Sequence, residues 1–371
     1  MLKLKVFHYI KIVVKKMFGD MRLRQIVFKC LVLLLVLMSI ALALSSESCE
    51  AVENEGTFSF YFENDLFADT DYGYTNGIKL SWISEDLTAY MKSDSLPDWS
   101  LPIISRLPFI NEQGLQRNVG FSIGQNIYTP GDISSGSLIE DDRPYAGWTY
   151  FGIGFHSKNE RRLDSMEIQL GLVGPLSFAD QTQKLIHKLS DNKSPNGWDN
   201  QLNNEPCLAV VYERRWRFFY NIPVGELGLD FIPHLGGALG NVHTYANAGM
   251  EARIGWNLPR DFGTSLIRPA GDSNAPLKAH YPHLSRDQNF SLYVFTGADG
   301  RAVLRNIFLD GNTFTDSHSV DKKYFVADVG IGIGLIIHRF KLSYTHVLQT
   351  KEFKGQEDNQ TFGSITLTYT Y

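Results

Sequence analysis

The sequence predicts an all-β fold: an antiparallel transmembrane β-barrel of twelve strands with a short helix in one outer loop. Three observations predict it. Within the last ten residues, apolar Ile365, Leu367, Tyr369 and Tyr371 alternate with Ser364, Thr366, Thr368 and Thr370. Period-two alternation sends one set to each face of a strand, and a greasy, aromatic-ended face beside a hydroxylated one suits a strand with lipid outside and water within. Comparable runs begin near Thr57, Thr75, Asn118, Ala146, Leu163, Cys207, Gly225, Ala246, Phe290, Tyr324, His338 and Phe362, an even number that closes with both chain ends on one side. Beyond the first forty-odd residues, no segment has the length of a spanning helix.

The N-terminus accounts for delivery to a membrane. Lys3, Lys5, Lys11, Lys15, Lys16, Arg22, Arg24 and Lys29 precede an apolar run from Cys30 to Leu44, broken by Ser39 and followed by small residues. This pattern is that of a secretory signal peptide over residues 1–46, leaving 47–371 as one barrel domain. Met21 begins an ordinary basic leader by itself. The apolar run is too short for a single anchor of about 20 residues. Residues 1–43 carry eight Lys/Arg and one acid, so their removal takes the net charge from −5 to about −12, which argues against a nucleic-acid partner. With Cys30 gone, Cys49 and Cys207 remain to pair in an oxidising compartment. Lipidation at Cys49 is disfavoured by Ser46 three positions before it.

Strand parity assigns the faces. Phe58, Phe60 and Phe62 point one way and Ser59, Tyr61 and Glu63 the other; Ile78, Leu80 and Trp82 oppose Gly77, Lys79 and Ser81. The inward set includes Glu63, Lys79, Glu167, Glu213, Arg215, Arg217 and Lys341, charges expected to pair within a narrow bore, since unpaired buried charge is costly. With the N-terminus in the periplasm, connections 66–74, 128–145, 174–206, 240–245, 300–323 and 351–361 fall outside the cell. Short turns near 158–162 and 336–338 fall inside, together with two long connections, 87–116 and 258–289.

Three polar features converge on the outer rim. Glu63-Asn-Asp65 ends the first strand and Tyr74-Thr-Asn-Gly77 opens the second, making Asp65 and Thr75 neighbours of inward parity, while Asn64 has the wrong parity unless the strand ends or bulges there. Such a group either offers oxygen ligands to a hard cation or forms an Asx-type turn. The 174–206 excursion has helical spacing at Leu185, Ile186 and Leu189 and carries His187, a side chain able to move protons near neutral pH or simply a solvated one. Ser177 in the same loop is expected to cap that helix. In Glu140-Asp-Asp-Arg-Pro-Tyr-Ala-Gly-Trp148, Arg143 either clamps a phosphate or pairs with Asp142, while Trp148 and Tyr150 are expected in an interfacial aromatic girdle.

These segments, with Gly174-Pro-Leu-Ser-Phe178, Gly197-Trp-Asp-Asn-Gln201 and Asn257-Leu-Pro-Arg-Asp-Phe-Gly263, resemble the outer-membrane lipid A 3'-O-deacylases over most of the mature chain. The resemblance implies a site facing the outer leaflet that removes the 3'-linked acyloxyacyl chains of lipid A with Ca2+. It implies that His187 activates water, that Asn64, Asp65 and Thr75 complete the polar site, and that Asp65 is the calcium ligand. A His-activated water supplies a nucleophile and calcium a Lewis acid for the oxyanion. No Gly-x-Ser-x-Gly elbow supports a serine nucleophile. The alternatives are an outer-membrane phospholipase and a non-enzymatic porin-like barrel.

Overall fold

The computed structural model describes residues 56–68, 73–87, 106, 112, 114–190, 194–264, 266 and 290–371. The signal peptide expected over 1–46, Cys49, and most of the 87–116 connection lie outside the described residues. The chain separates into a barrel unit, Asn54–Gln181 with Pro195–Tyr371, and a second unit that includes Thr182–Ser194.

Twelve strands make the barrel: β1 (Thr57–Asn64), β2 (Gly73–Ile83), β3 (Gln116–Thr129), β4 (Ala146–Lys158), β5 (Arg162–Val173), β6 (Glu205–Trp216), β7 (Leu227–Gly240), β8 (His243–Trp256), β9 (Phe290–Asn306), β10 (Phe325–Ile337), β11 (Phe340–Gln349) and β12 (Gln360–Thr370). Past Arg217, β6 resumes as Phe218–Asn221 against the same neighbour, β7. Every strand pairs antiparallel with those before and after it, β1 pairs with β12, and the sheet is a closed cylinder. Closure leaves no edge to desolvate in hydrocarbon. The seam runs from Thr57 opposite Thr370 to Asn64 opposite Gly363, so the terminal alternation that predicted the fold is half of the joint that completes it.

Parity holds through the barrel wall. In β1 the inward residues Thr57, Ser59, Tyr61 and Glu63 are all buried, while Phe58 is exposed. Phe121, Ile123, Phe151, Leu170, Val294, Ile331 and Ile333 are likewise exposed and form an apolar outer band that lipid would cover. Inside, the charges are paired: Lys79 lies 3.7 Å from Glu167, Arg215 Nε 2.7 Å from Glu213, and Arg217 Nε 2.8 Å from Asp230. Trp148 and Tyr150 depart from the expected girdle. Both are buried on the bore side, stacked at 4.4 Å and packed with Ile307 and Phe308, because strand parity from exposed Phe151 places even-numbered β4 residues inward.

One end carries short turns, such as His338 and Arg339 between β10 and β11, with His338 at φ 51. The same end carries the two connections 84–115 and 257–289, whereas the opposite end carries those leaving β1, β3, β5, β7, β9 and β11, from the two-residue turn 241–242 to the 174–204 excursion. The expected 300–323 loop is shorter than predicted because β9 continues to Asn306, where the Asn306 side chain caps a one-turn helix, Ile307–Asp310. Cys207 forms no disulfide among the described residues; its Sγ contacts Glu205 O.

The 258–289 connection does not simply hang below the barrel. Its described part turns back into the bore. Asp261 accepts from Lys341 Nζ at 2.6 Å and pairs with Arg253, Arg215 Nη1 donates to Phe262 O at 2.9 Å, and the Thr264 amide donates to Glu251. Leu266 packs with Tyr74, Val347 and Phe362. Gly263 adopts φ +96 beside the Glu251 carboxylate, a conformation that favours glycine.

Burial pushes the Asp261 carboxyl up, but Lys341 and Arg253 overcome it and hold the group well below the ordinary carboxylate range. A depressed folded-state value stabilises the barrel above the unfolded value of about 3.9, and this is lost as pH falls through the folded value. Asp261→Asn should therefore flatten that part of the acid limb of an unfolding curve and lower stability at pH 7 by about 3 kcal/mol. On the outer face, Leu80→Arg should cost roughly 2–4 kcal/mol in urea unfolding from lipid vesicles, whereas Ser81→Ala should cost about 1 kcal/mol or less.

Candidate functional site

The candidate residues gather where β1 and β2 reach the end that carries the 174–204 connection. Register sets Asn64 opposite Asn76, so Asp65 and Thr75 are the next residues outward on each chain. Neither continues regular strand geometry. The chain leaves β1 at Asn64 and enters a 3-10 turn, Asp65–Ala68, while the β2–β3 ladder slips between Tyr74 and Asn76, leaving Thr75 as a bulged residue. Thr75 Oγ1 lies 2.6 Å from Thr129 Oγ1. Bulges re-aim side chains in this way.

These breaks relocate the site relative to the sequence expectation. Extended parity placed Asp65 and Thr75 toward the bore. The structure instead turns the 3-10 segment onto the outer wall, where the Phe67 ring meets Phe62 at 6.0 Å and Tyr344 at 6.1 Å, both edge-on. Asn64 shares the outward parity of Phe62, and the row that it starts runs across the outer face through Asn76, Ile127 and Gly147. All are buried: Asn64 is 2 % exposed, Asp65 0 %, Thr75 2 % and Asn76 1 %. The row from Asn64 to Gly147 therefore sits at the edge of the outer wall.

The far side of this row is roofed by the segment leading out of β5. Ala179 packs with Ile127, Ile133, Tyr145 and Trp198, and a Cβ on Gly147 would collide with Ala179 and Ser177. One step down, Gln125 Nε2 and Thr149 Oγ1 both donate to Ser177 O, at 2.6 and 2.7 Å. Ser177 does not cap the following helix: its hydroxyl donates to Gly174 O at 2.6 Å and closes the preceding 3-10 turn.

The helix that follows spans Ala179–Ser190 and buries Ala179, Gln183 and His187. Spacing of four places these three on one face. His187 belongs to the unit containing Thr182–Ser194, whereas Asn64, Asp65 and Thr75 belong to the barrel. The barrel thus assembles three of the four predicted residues by register and the bulge, and the fourth occupies the buried face of the helix.

Sequence reasoning overlooked Asn76. Its Nδ2 donates to Glu63 O at 3.2 Å, and its buried Oδ1 has no hydrogen-bond partner among the described residues. The signal was present in the Tyr74-Thr-Asn-Gly77 segment, but outward parity hid it. Among the described residues, no group of three or more His, Cys, Asp or Glu could hold a metal ion. The oxygen set here is one carboxylate, two amides and two hydroxyls, a hard-donor set compatible with calcium when backbone carbonyls and water complete it.

Arg143 is committed elsewhere. It pairs with Glu352 at 2.7 Å rather than with Asp142, and its guanidinium lies over the Tyr128 and Phe353 rings at 5.4 and 5.8 Å. Asp142 accepts from the Arg143 and Gly131 amides instead. With its side chain 1 % exposed, Arg143 presents no surface for a phosphate.

Comparison with known proteins places this geometry in a family. Residues 30–371 match the profile of outer membrane protein LpxR. The chain belongs to that family. Among solved structures, LpxR from Salmonella typhimurium superposes with a TM-score of 0.66 at 17 % identity, covering 84 % of this chain and 99 % of that one, which establishes the shared barrel fold. The beta domain of the Bordetella autotransporter BrkA, at a TM-score of 0.39 and 7 % identity over 86 % of this chain and 98 % of its own, carries no argument. No curated protein matches.

Removing one partner of the buried Arg143–Glu352 pair should be far worse than removing both. Arg143→Leu should lower stability by about 3–5 kcal/mol, and adding Glu352→Leu should recover part of it. A double-mutant cycle in urea measures the coupling, and additive losses would show the pair to be incidental.

Proposed function

We propose that this member of the LpxR family is an outer-membrane hydrolase that removes 3'-linked acyloxyacyl chains from lipid A, with its site facing the outer leaflet. The observation that carries this reading is the outward position of the polar row. Asn64 and Asn76 continue the faces of Phe62 and Ile78, so they border the wall that lipid tails would touch. A pore keeps its polar groups inside the bore. A hydrolase for a lipid that stays in its leaflet needs them at this edge, reached laterally. The 174–204 and 307–324 connections, each with a helix of its own, emerge at the same end, in keeping with the cell exterior.

In the proposed chemistry, His187 takes a proton from water as the water oxygen attacks the ester carbonyl. The tetrahedral oxyanion then collapses. The sugar 3'-oxygen leaves, receiving the proton held by the imidazolium, and the products are a free 3'-hydroxyl and an acyloxyacyl carboxylic acid. Asp65 would be the resident carboxylate ligand for Ca2+, with Asn64, Thr75 and Asn76 offering further oxygens. Bound calcium would supply positive charge toward the developing oxyanion. Because the chain is acidic overall, the same charge would also ease approach of a phosphorylated glycolipid.

His187→Ala should leave a folded, heat-modifiable barrel while reducing 3'-acyl release by at least about a hundredfold, read by mass spectrometry of lipid A from cells carrying either form. Hydrolysis at the parental rate would remove the imidazole from the mechanism. Chelation of calcium should abolish release in the wild type, with recovery on adding Ca2+ back, and Asp65→Asn should raise the calcium concentration needed. Activity indifferent to chelator would sink the cation assignment while leaving the reaction class standing. Phospholipid profiles from the same cells test the phospholipase alternative.

A further inference from the structure

The segment Asn257–Gly263 stood out in the sequence, yet the proposed reaction does not use it. Its described continuation to Leu266 occupies the bore. Asp261 is the centre of the attachment: it is 3 % exposed and meets both Arg253 and Lys341, which arise from β8 and β11. Arg253 also donates to Pro259 O and Asp261 O, and Asp230 ties Arg253 to Arg217. Phe262 is fully buried, its carbonyl fixed by Arg215 and the next residues by Glu251. Strands from several sides of the cylinder thus grip one loop, through charge-assisted bonds at its centre and apolar packing of Leu258 with Tyr293 and Phe295 and of Leu266 with Tyr74, Val347 and Phe362 at its ends.

Nearer the end that carries the 174–204 connection the bore is crossed a second time. Phe362 meets Tyr74 at 5.2 Å, Tyr74 meets Tyr128 at 5.4 Å, Tyr128 stacks on Phe308 at 3.9 Å, and Phe308 lies 6.3 Å from Trp148. This chain of rings links β12, β2 and β3 to β4 through the one-turn helix after β9. The Arg143 guanidinium lies over Tyr128. Two cavities of about 90 and 100 Å³ share Glu213, Leu266, Asp299 and Asp328 in their walls.

We propose that the bore is sealed twice in series, by a charge-locked plug, residues 258–264 with Leu266, held through Asp261, and by an aromatic bridge centred on Tyr128 and Phe308. The barrel is then a wall for a laterally reached site and passes no ions. Sealing of the bore is independent of the deacylase reading, since conductance is measured without lipid A.

The test uses the full mature chain in planar bilayers. The wild type should give no channel openings. Asp261→Ala with Phe262→Gly should give none, because the bridge remains, and Phe308→Ala alone should give none, because the plug remains. The combined variant should show stepwise ion-conducting openings. A conducting wild type or single-seal variant would overturn the series arrangement, as would a silent combined variant that still migrates as a heat-modifiable barrel. Hydrogen exchange supplies a second readout on milder variants: Asp261→Asn should lose protection at the Thr264 amide while the β1 and β12 amides stay protected. Unchanged protection at Thr264 would overturn the lock.

Discussion

Backbone amides in hydrocarbon have no water to turn to, and this requirement governs the molecule. Every strand must find two neighbours. The pairing of Thr57–Asn64 with Gly363–Thr370 supplies the last of them, and once it forms, each residue has a fixed side. Phe58 and Leu80 meet lipid, while Ser59 and Lys79 meet the interior. The charged interior follows from the same constraint. Lys79 with Glu167, Arg217 with Asp230 and Lys341 with Asp261 are tolerated because each buried charge has an opposite partner, and losing one partner costs more than the pair contributes.

Where the alternation fails, the residues of the proposed site gather. Thr75 is an extra residue in the β2–β3 ladder, and β1 gives way to a 3-10 turn at Asp65. A barrel with perfect period would have left these side chains divided between the two faces. The bulge and the turn gather an amide, a carboxylate and a hydroxyl at the boundary between strand and loop. Gly147 contributes in the opposite way, through the side chain it lacks, which lets Ala179 and Ser177 approach the outer wall.

Strand periodicity made the fold legible, because a period of two is written into each segment separately and survives uncertainty about its neighbours. The starts of the strands were off by at most three residues, and the burial of the charged inward set was foreseen. What was hidden depends on contacts remote in sequence. Arg143 stands beside Asp142 in the chain, but its partner, Glu352, is 209 positions away. Trp148 and Tyr150 looked like a girdle since aromatics are common there, yet one-residue parity sent them into the bore. Asp65 and Thr75 were found as neighbours by a short-loop argument, but parity could not be carried through the bulge at Thr75 or past the end of β1 to Asp65.

The position of the polar row and the filling of the bore are connected by physical necessity. A site that serves a lipid in its leaflet has to open through the outer edge of the cylinder, and nothing in that task calls for a passage along its axis. A closed ring of twelve strands nevertheless encloses an interior that must be filled with side chains, water or chain. Leaving it wet would provide a leak beside the proposed hydrolase. Filling it with hydrocarbon side chains alone would spoil the inward polarity that lets Ser, Thr and charged residues alternate with the lipid-facing set. A loop pinned by carboxylate, ammonium and guanidinium groups satisfies both demands, because its ties are the inward charges that the alternation already provides.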